Sequence, residues 1–196
     1  MSRLRKNDKR VRLIAATYTL IEEKTVHKTT LADIAKHANI PLGNVYYYFK
    51  TKDDVVMAAI KHRQTELRTL FESWSILPTA TARLHAFIQQ MLDNAPRLAR
   101  FGSLTGALCQ ELSKLQEVPG FEASTLLRAS IDWVTQQFQA LGKSAELATV
   151  LAENLVSRIE GCCLLCSTFK DPNLCIREAE VLQAWIKTLV AESVTA

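Results

Sequence analysis

Hydrophobic positions recur at the helical period along almost every long segment, and no segment sustains the two-residue alternation of a half-buried strand. Val11, Ile14, Ala15, Tyr18 and Ile21 share one face and predict a first helix of about two to four turns. Thr29 and Thr30 are capping residues, and Asp33, three positions after Thr30, suits the first turn of a second helix. That helix carries Leu31, Ile34, Ala35 and Ala38 and must stop before Pro41, because the residue preceding a proline avoids the helical region. A third, short helix is expected over 42–49. Thr51 caps a long fourth helix with Asp53 and Asp54 in its first turn, reaching about Leu77. Beyond it, Pro96, Pro119-Gly120, Gly142 and Asp171-Pro172-Asn173 are turn or stop signals. They leave helix-sized segments at about 81–94, 104–116, 121–141, 145–169 and 174–191. The expected fold is all-α with about nine helices.

Composition narrows the class. The 196 residues are 48% hydrophobic and 22% charged, with 6 Gly and 5 Pro, which excludes disordered and collagen-like chains. No apolar run approaches the roughly 18 residues of a membrane span, and the basic N-terminus lacks the apolar core of a secretory signal. The expected compartment is therefore the cytoplasm, without a membrane partner. The net charge of +4 hides a division: residues 1–63 carry +7 and the remainder −3. A basic head on a mildly acidic body points to a polyanionic partner.

The second and third helices are joined by Asn39-Ile40-Pro41, the length of a helix-turn-helix turn. At about 100° per residue, Val45 and Phe49 share the buried face of the third helix. Gly43, Asn44 and Tyr47 fall opposite, with Tyr46 and Tyr48 on the flanks. Two anchors on so short a helix do not account for three consecutive tyrosines. Phenolic hydroxyls beside an outward polar face suit phosphates, Asn44 suits a base edge, and Gly43 lets the helix start approach a groove closely. Lys50 and Lys52 follow, and Arg3, Arg5, Lys6, Lys9 and Arg10 form a basic arm before or on the first helix.

The stretch from Thr29 to Val55, TTLADIAKHANIPLGNVYYYFKTKDDV, resembles the DNA-binding signature of TetR-type regulators, in its TxxxIA…VYYYFxxK pattern. The preceding amphipathic helix and the chain length fit the same family. The resemblance implies a three-helix helix-turn-helix DNA-binding domain over 1–52 and a helical ligand-binding and dimerisation domain over 53–196. It further implies a homodimer on a palindromic double-stranded DNA operator, released by a small-molecule inducer. By position, Thr30 matches the family's capping threonine, Tyr46 to Tyr48 its DNA-facing aromatics and Lys52 its phosphate-binding lysine. Leu42 stands where some members carry a polar residue. The expected DNA-binding set is Thr30, Leu42, Gly43, Asn44, Tyr46, Tyr47, Tyr48, Lys50 and Lys52, with Arg5 and Arg10.

Catalysis finds no support. Gly142-Lys143-Ser144 lacks the earlier glycine and the preceding strand of a phosphate-binding loop, and the four histidines form no ligand spacing. No cofactor or metal is expected. Of the five cysteines, Cys162 and Cys166 share the stripe of Leu147, Leu151, Leu155 and Ile159, so burial as small hydrophobes is one reading. A thiol or electrophile sensor using Cys109 or the 162–175 group is another. Gly161 beside them suits a close helix approach. Leu155, Ile159, Cys162 and Cys166 are expected to meet Leu182, Trp185, Ile186 and Leu189 of the last helix in the four-helix dimer bundle that the resemblance implies. Trp74, Phe87, Met91, Phe101, Cys109, Trp133 and Phe138 are candidates for an apolar ligand cavity and read equally as core. An adaptor whose head binds protein is the alternative of a different class.

Overall fold

The structure, a computed structural model, describes residues 2–115 and 118–194. Ten α-helices and one short 3-10 turn follow one another with no strand among the described residues. They are α1 (Ser2–Lys24), α2 (Leu31–His37), α3 (Leu42–Tyr48), α4 (Lys52–Ser75), α5 (Ala80–Asp93), α6 (Ala95–Phe101), α7 (Leu104–Leu112), the 3-10 turn Ser113–Leu115, α8 (Val118–Ala140), α9 (Ala145–Phe169) and α10 (Asn173–Val194).

Three boundaries differ from the sequence-based expectation. The basic arm is helical, so α1 runs for 23 residues rather than two to four turns. Pro96 starts α6, in whose first turn its missing N–H costs nothing. Pro119-Gly120 likewise opens α8 instead of preceding it. A Cβ on Gly120 would lie 2.6 Å from the Leu112 carbonyl oxygen, so this close approach requires glycine. Gly142, at φ +84°, ends α8 in the left-handed region, as a glycine cap does.

By proximity the chain forms two compact units: residues 1–66 with 107–126, and residues 67–106 with 127–196. The first unit is built on α1, α2 and α3, whose core includes Leu13, Leu20, Ile34, Val45, Phe49 and Val55. In the second, α10 packs on α5 and α9, and α6 packs on α9. Leu84, Ile88, Phe138, Leu155, Leu182 and Ile186 are fully enclosed there. Leu155, Cys162, Cys166, Leu182 and Ile186, read from sequence as dimer-facing, are thus buried inside one chain. Ile159, Trp185 and Leu189 are half-buried, and Trp185 meets Phe138 edge-on at 6.0 Å. The outward face of α9 instead carries exposed Leu147 and Val150 near its start and Leu164, Leu165 and Phe169 near its end, with exposed Glu153, Asn154 and Ser157 between them. Gly161 lies on that face with open space before it, so it accommodates no helix of its own chain.

Because Phe138 has no exposed surface, Phe138→Ala should cost about 3–5 kcal/mol of unfolding free energy in urea titrations.

Candidate nucleic-acid interface

Two helices of the head, α2 and α4, begin on side-chain caps. Thr30 caps α2: its hydroxyl accepts the Asp33 N–H at 3.1 Å, and the Asp33 carboxylate accepts the Thr30 N–H at 3.0 Å. The Thr30 hydroxyl also donates to the same carboxylate. These bonds, first the side-chain one and then the backbone one, hold Asp33 below its ordinary value against the opposing effect of desolvation, with Lys24 and Lys36 adding to them. At α4 the device recurs. Thr51 Oγ1 accepts the Asp54 N–H, and the Asp54 carboxylate accepts the N–H groups of Thr51 and Lys50; the bonds to Thr51 foremost, then that to Lys50, lower its pKa too.

The far end of α2 is closed by a residue that the sequence pattern does not single out. The Arg12 guanidinium donates to the carbonyls of Ala38 and Asn39. Asn39 itself sits at φ 51°, a left-handed position that asparagine tolerates. The chain does carry a signal, since cations favour the carbonyl end of a helix. It does not carry the partner, which lies 26 residues away.

On α3, Val45 and Phe49 are buried, as their 40° separation requires. Gly43 faces open space, Leu42 is 40% exposed, and Tyr46 and Tyr47 are 47% and 61% exposed. Asn44 is half-buried. Tyr48 packs partly against the head core, edge-on to Tyr47 with ring centroids 5.0 Å apart. It lies about 60° from Val45 on the helical wheel, so it belongs with the anchors more than with the outward face. Lys50 is exposed. Lys52 Nζ donates to the His27 carbonyl at 3.0 Å. The Arg10 guanidinium lies over the Phe49 ring at 5.4 Å. The side chain of Arg5 lies outside the described residues. The exposed aromatic pair, the open helix start and several cations therefore belong to one compact unit.

The body candidates group differently. Trp74, Phe87 and Trp133 come together around Phe71, with ring centroids 5.1–6.0 Å apart. Met91 and Phe138 are buried, and Arg100 covers the Phe101 ring at 4.7 Å. Cys109 belongs to the other unit, where its thiol donates to the Ala123 carbonyl at 3.0 Å. A cleft of about 460 Å³ opens beside Phe71 and Trp133, with Arg68, Glu72, Asp132 and Gln136 among its lining residues. Cys162, Cys163, Cys166 and Cys175 are all buried, with the Cys162 and Cys175 sulfurs 3.9 Å apart. Burial pushes the Cys162, Cys163 and Cys175 thiols upward, away from the thiolate. Among the described residues no group of three or more acidic, histidine or cysteine side chains is set to hold a metal ion, and no helix is long and apolar enough to cross a membrane.

Residues 13–59 match the family described as bacterial regulatory proteins, tetR family. Over those residues the chain is similar to the DNA-binding heads of that family. The HTH-type transcriptional regulator BetI of Burkholderia thailandensis is 36% identical over 99 residues, covering 50% of this chain and 43% of that protein. The fatty acid metabolism regulator protein of Bacillus subtilis is 31% identical over 78 residues, 40% of each chain. The chain thus matches less than half the length of these relatives. The fold likeness extends further. A TetR transcriptional regulator from Legionella pneumophila superposes with a TM-score of 0.80 at 21% identity, over 90% of this chain and 94% of that one. The all-α architecture with an N-terminal helix-turn-helix is therefore that of TetR regulators well beyond the matched head.

The Thr30–Asp33 box makes a direct prediction. Thr30→Ala should destabilise the protein by about 1 kcal/mol. Because the folded state holds the Asp33 pKa below 3.8, the carboxylate's contribution is complete above that value and is lost as pH falls through the folded one. Thermal midpoints of the parent and Asp33→Asn should differ at pH 6 and converge in strong acid.

Proposed function

We propose that the protein is a DNA-binding transcriptional regulator, a repressor of neighbouring genes, acting as a homodimer on a palindromic operator and released by a small molecule. The observation that carries the reading is the outward face of α3. Gly43, Asn44 and Tyr47 are its base-reading group, entering the major groove from the helix start. Tyr46, Thr30, Leu42, Lys50 and Lys52 lie towards the backbone, with Arg5 and Arg10 from α1, and Tyr48 steadies Tyr47 from the side. The reading keeps 1–52 as the DNA-contacting part and 53–196 as the sensing and pairing part, in the bacterial cytoplasm.

The pairing surface supported best is the outer stripe of α9. Leu147, Val150, Leu164, Leu165 and Phe169 are exposed at helical spacing, with Gly161 among them allowing a close approach. An outer helix face with five exposed large apolar side chains is a candidate interaction surface. It replaces the stripe of Leu155 and Cys162, which the chain's own core occupies. For an effector, the aromatic group around Trp133 and its adjoining cleft fall in the volume range of small-molecule sites and favour a ligand with an aromatic or apolar part. Burial and the raised thiol pKa values favour packing over sensing for Cys162, Cys163 and Cys175.

Binding of a DNA fragment flanking the gene, measured against salt, tests the function. The logarithm of affinity should fall steeply and linearly with the logarithm of salt concentration, and Lys50→Ala should lower the slope by about one. Tyr47→Ala should weaken specific binding by about 1–3 kcal/mol at any one salt. An adaptor with a protein partner would show neither. Leu164→Glu should yield a monomer in sedimentation at micromolar concentration; an unchanged dimer would exclude the α9 stripe.

A further inference from the structure

The turn between α1 and α2 is held in a backbone conformation that its own residues disfavour. Thr25 has φ 108°, where the Cβ of a branched residue crowds the neighbouring peptide. Such backbone persists only where surrounding contacts over-determine it. Within the turn, the Thr25 N–H donates to the Ile21 carbonyl at 3.1 Å, and Thr29 Oγ1 donates to the Thr25 carbonyl at 2.7 Å. The Thr29 N–H also donates to the Val26 carbonyl at 3.2 Å and the Lys28 N–H to Thr25 Oγ1 at 3.3 Å, and a further hold comes from 85 residues away. One oxygen of the Glu111 carboxylate accepts the Val26 N–H at 2.8 Å, and the other accepts the His27 N–H. A single side chain thus takes two consecutive amides, while Lys52 takes the His27 carbonyl.

The position of Glu111 is otherwise unfavourable. It lies in the last turn of α7, where a carboxylate faces the negative end of the helix dipole. Its stabilising partners are the turn's amides. Fixing this turn also fixes the start of α2: Val26 and Thr29 are buried, and Thr30 caps the helix immediately afterwards.

We propose that Glu111 is a positioning residue for DNA recognition, whose carboxylate holds the strained α1–α2 turn and thereby sets the placement of α2 and α3. The proposal rests on the DNA-binding reading. It assigns segment 107–126, which packs in the same unit as the head, a role in completing the head's binding-competent geometry. A change that withdraws the carboxylate releases a turn that is already under strain.

Amide hydrogen exchange and affinity for the DNA flanking the gene, measured on the full-length chain, test this together. Glu111→Ala should raise exchange at Val26 and His27 about tenfold or more, with Leu13 and Ile34 unchanged as a check on the fold. Affinity should fall about tenfold while the salt slope stays at the parent value, since no phosphate contact is removed. Glu111→Gln, which keeps one carbonyl acceptor, should lie between. Adding Thr25→Gly to Glu111→Ala should recover part of the affinity, because glycine adopts this φ without crowding. Parent affinity in Glu111→Ala overturns the proposal, as does lost affinity without faster exchange at the two amides. Failure of the parent protein to bind DNA overturns the reading beneath it instead.

Discussion

Burial of Val45 and Phe49 in the head core is the constraint on which the candidate interface depends. A helix of seven residues does not stand alone in water, because the cost of nucleating it exceeds what so few hydrogen bonds return. Each buried anchor contributes about 1.5–3 kcal/mol, enough to hold α3 against α1 and α2. With those two positions committed inward, the helical period leaves Gly43, Tyr46 and Tyr47 facing out. Function in this reading is the face that packing leaves over.

The second layer of the design is polar. Thr30 with Asp33, and Thr51 with Asp54, satisfy the free amides that begin α2 and α4. Arg12 satisfies the carbonyls that end α2, and Glu111 and Lys52 take opposite sides of the turn before it. These bonds leave short helices with defined ends and therefore defined directions, which a groove-reading head requires.

The local part of this is legible in the sequence. Capping residues, proline stops and the Val45/Phe49 spacing act within a few residues, so α2, α3 and the caps of α2 and α4 follow from the chain alone. Pro96 and Pro119 mislead because a proline that bars a helix interior is equally at home in its first turn. Partners distant along the chain are not legible: nothing near Arg12 or Glu111 names Ala38 or Val26. The outward apolar residues of α9 are hidden for a related reason. That helix is apolar on two faces, and periodicity alone does not say which one its own chain covers. Only the packing of α10 and α6 shows that the cysteine face is inside and the Leu164 face outside.

In the proposed reading the basic head, where the +7 charge of residues 1–63 resides, meets DNA, and the exposed apolar residues of α9 meet a second copy. The most direct test of that arrangement is footprinting on the DNA flanking the gene. Two protected half-sites related by a dyad, with centres about 10 base pairs or a multiple of that apart, are the predicted result. Protection of a single half-site, or none at all, would contradict it.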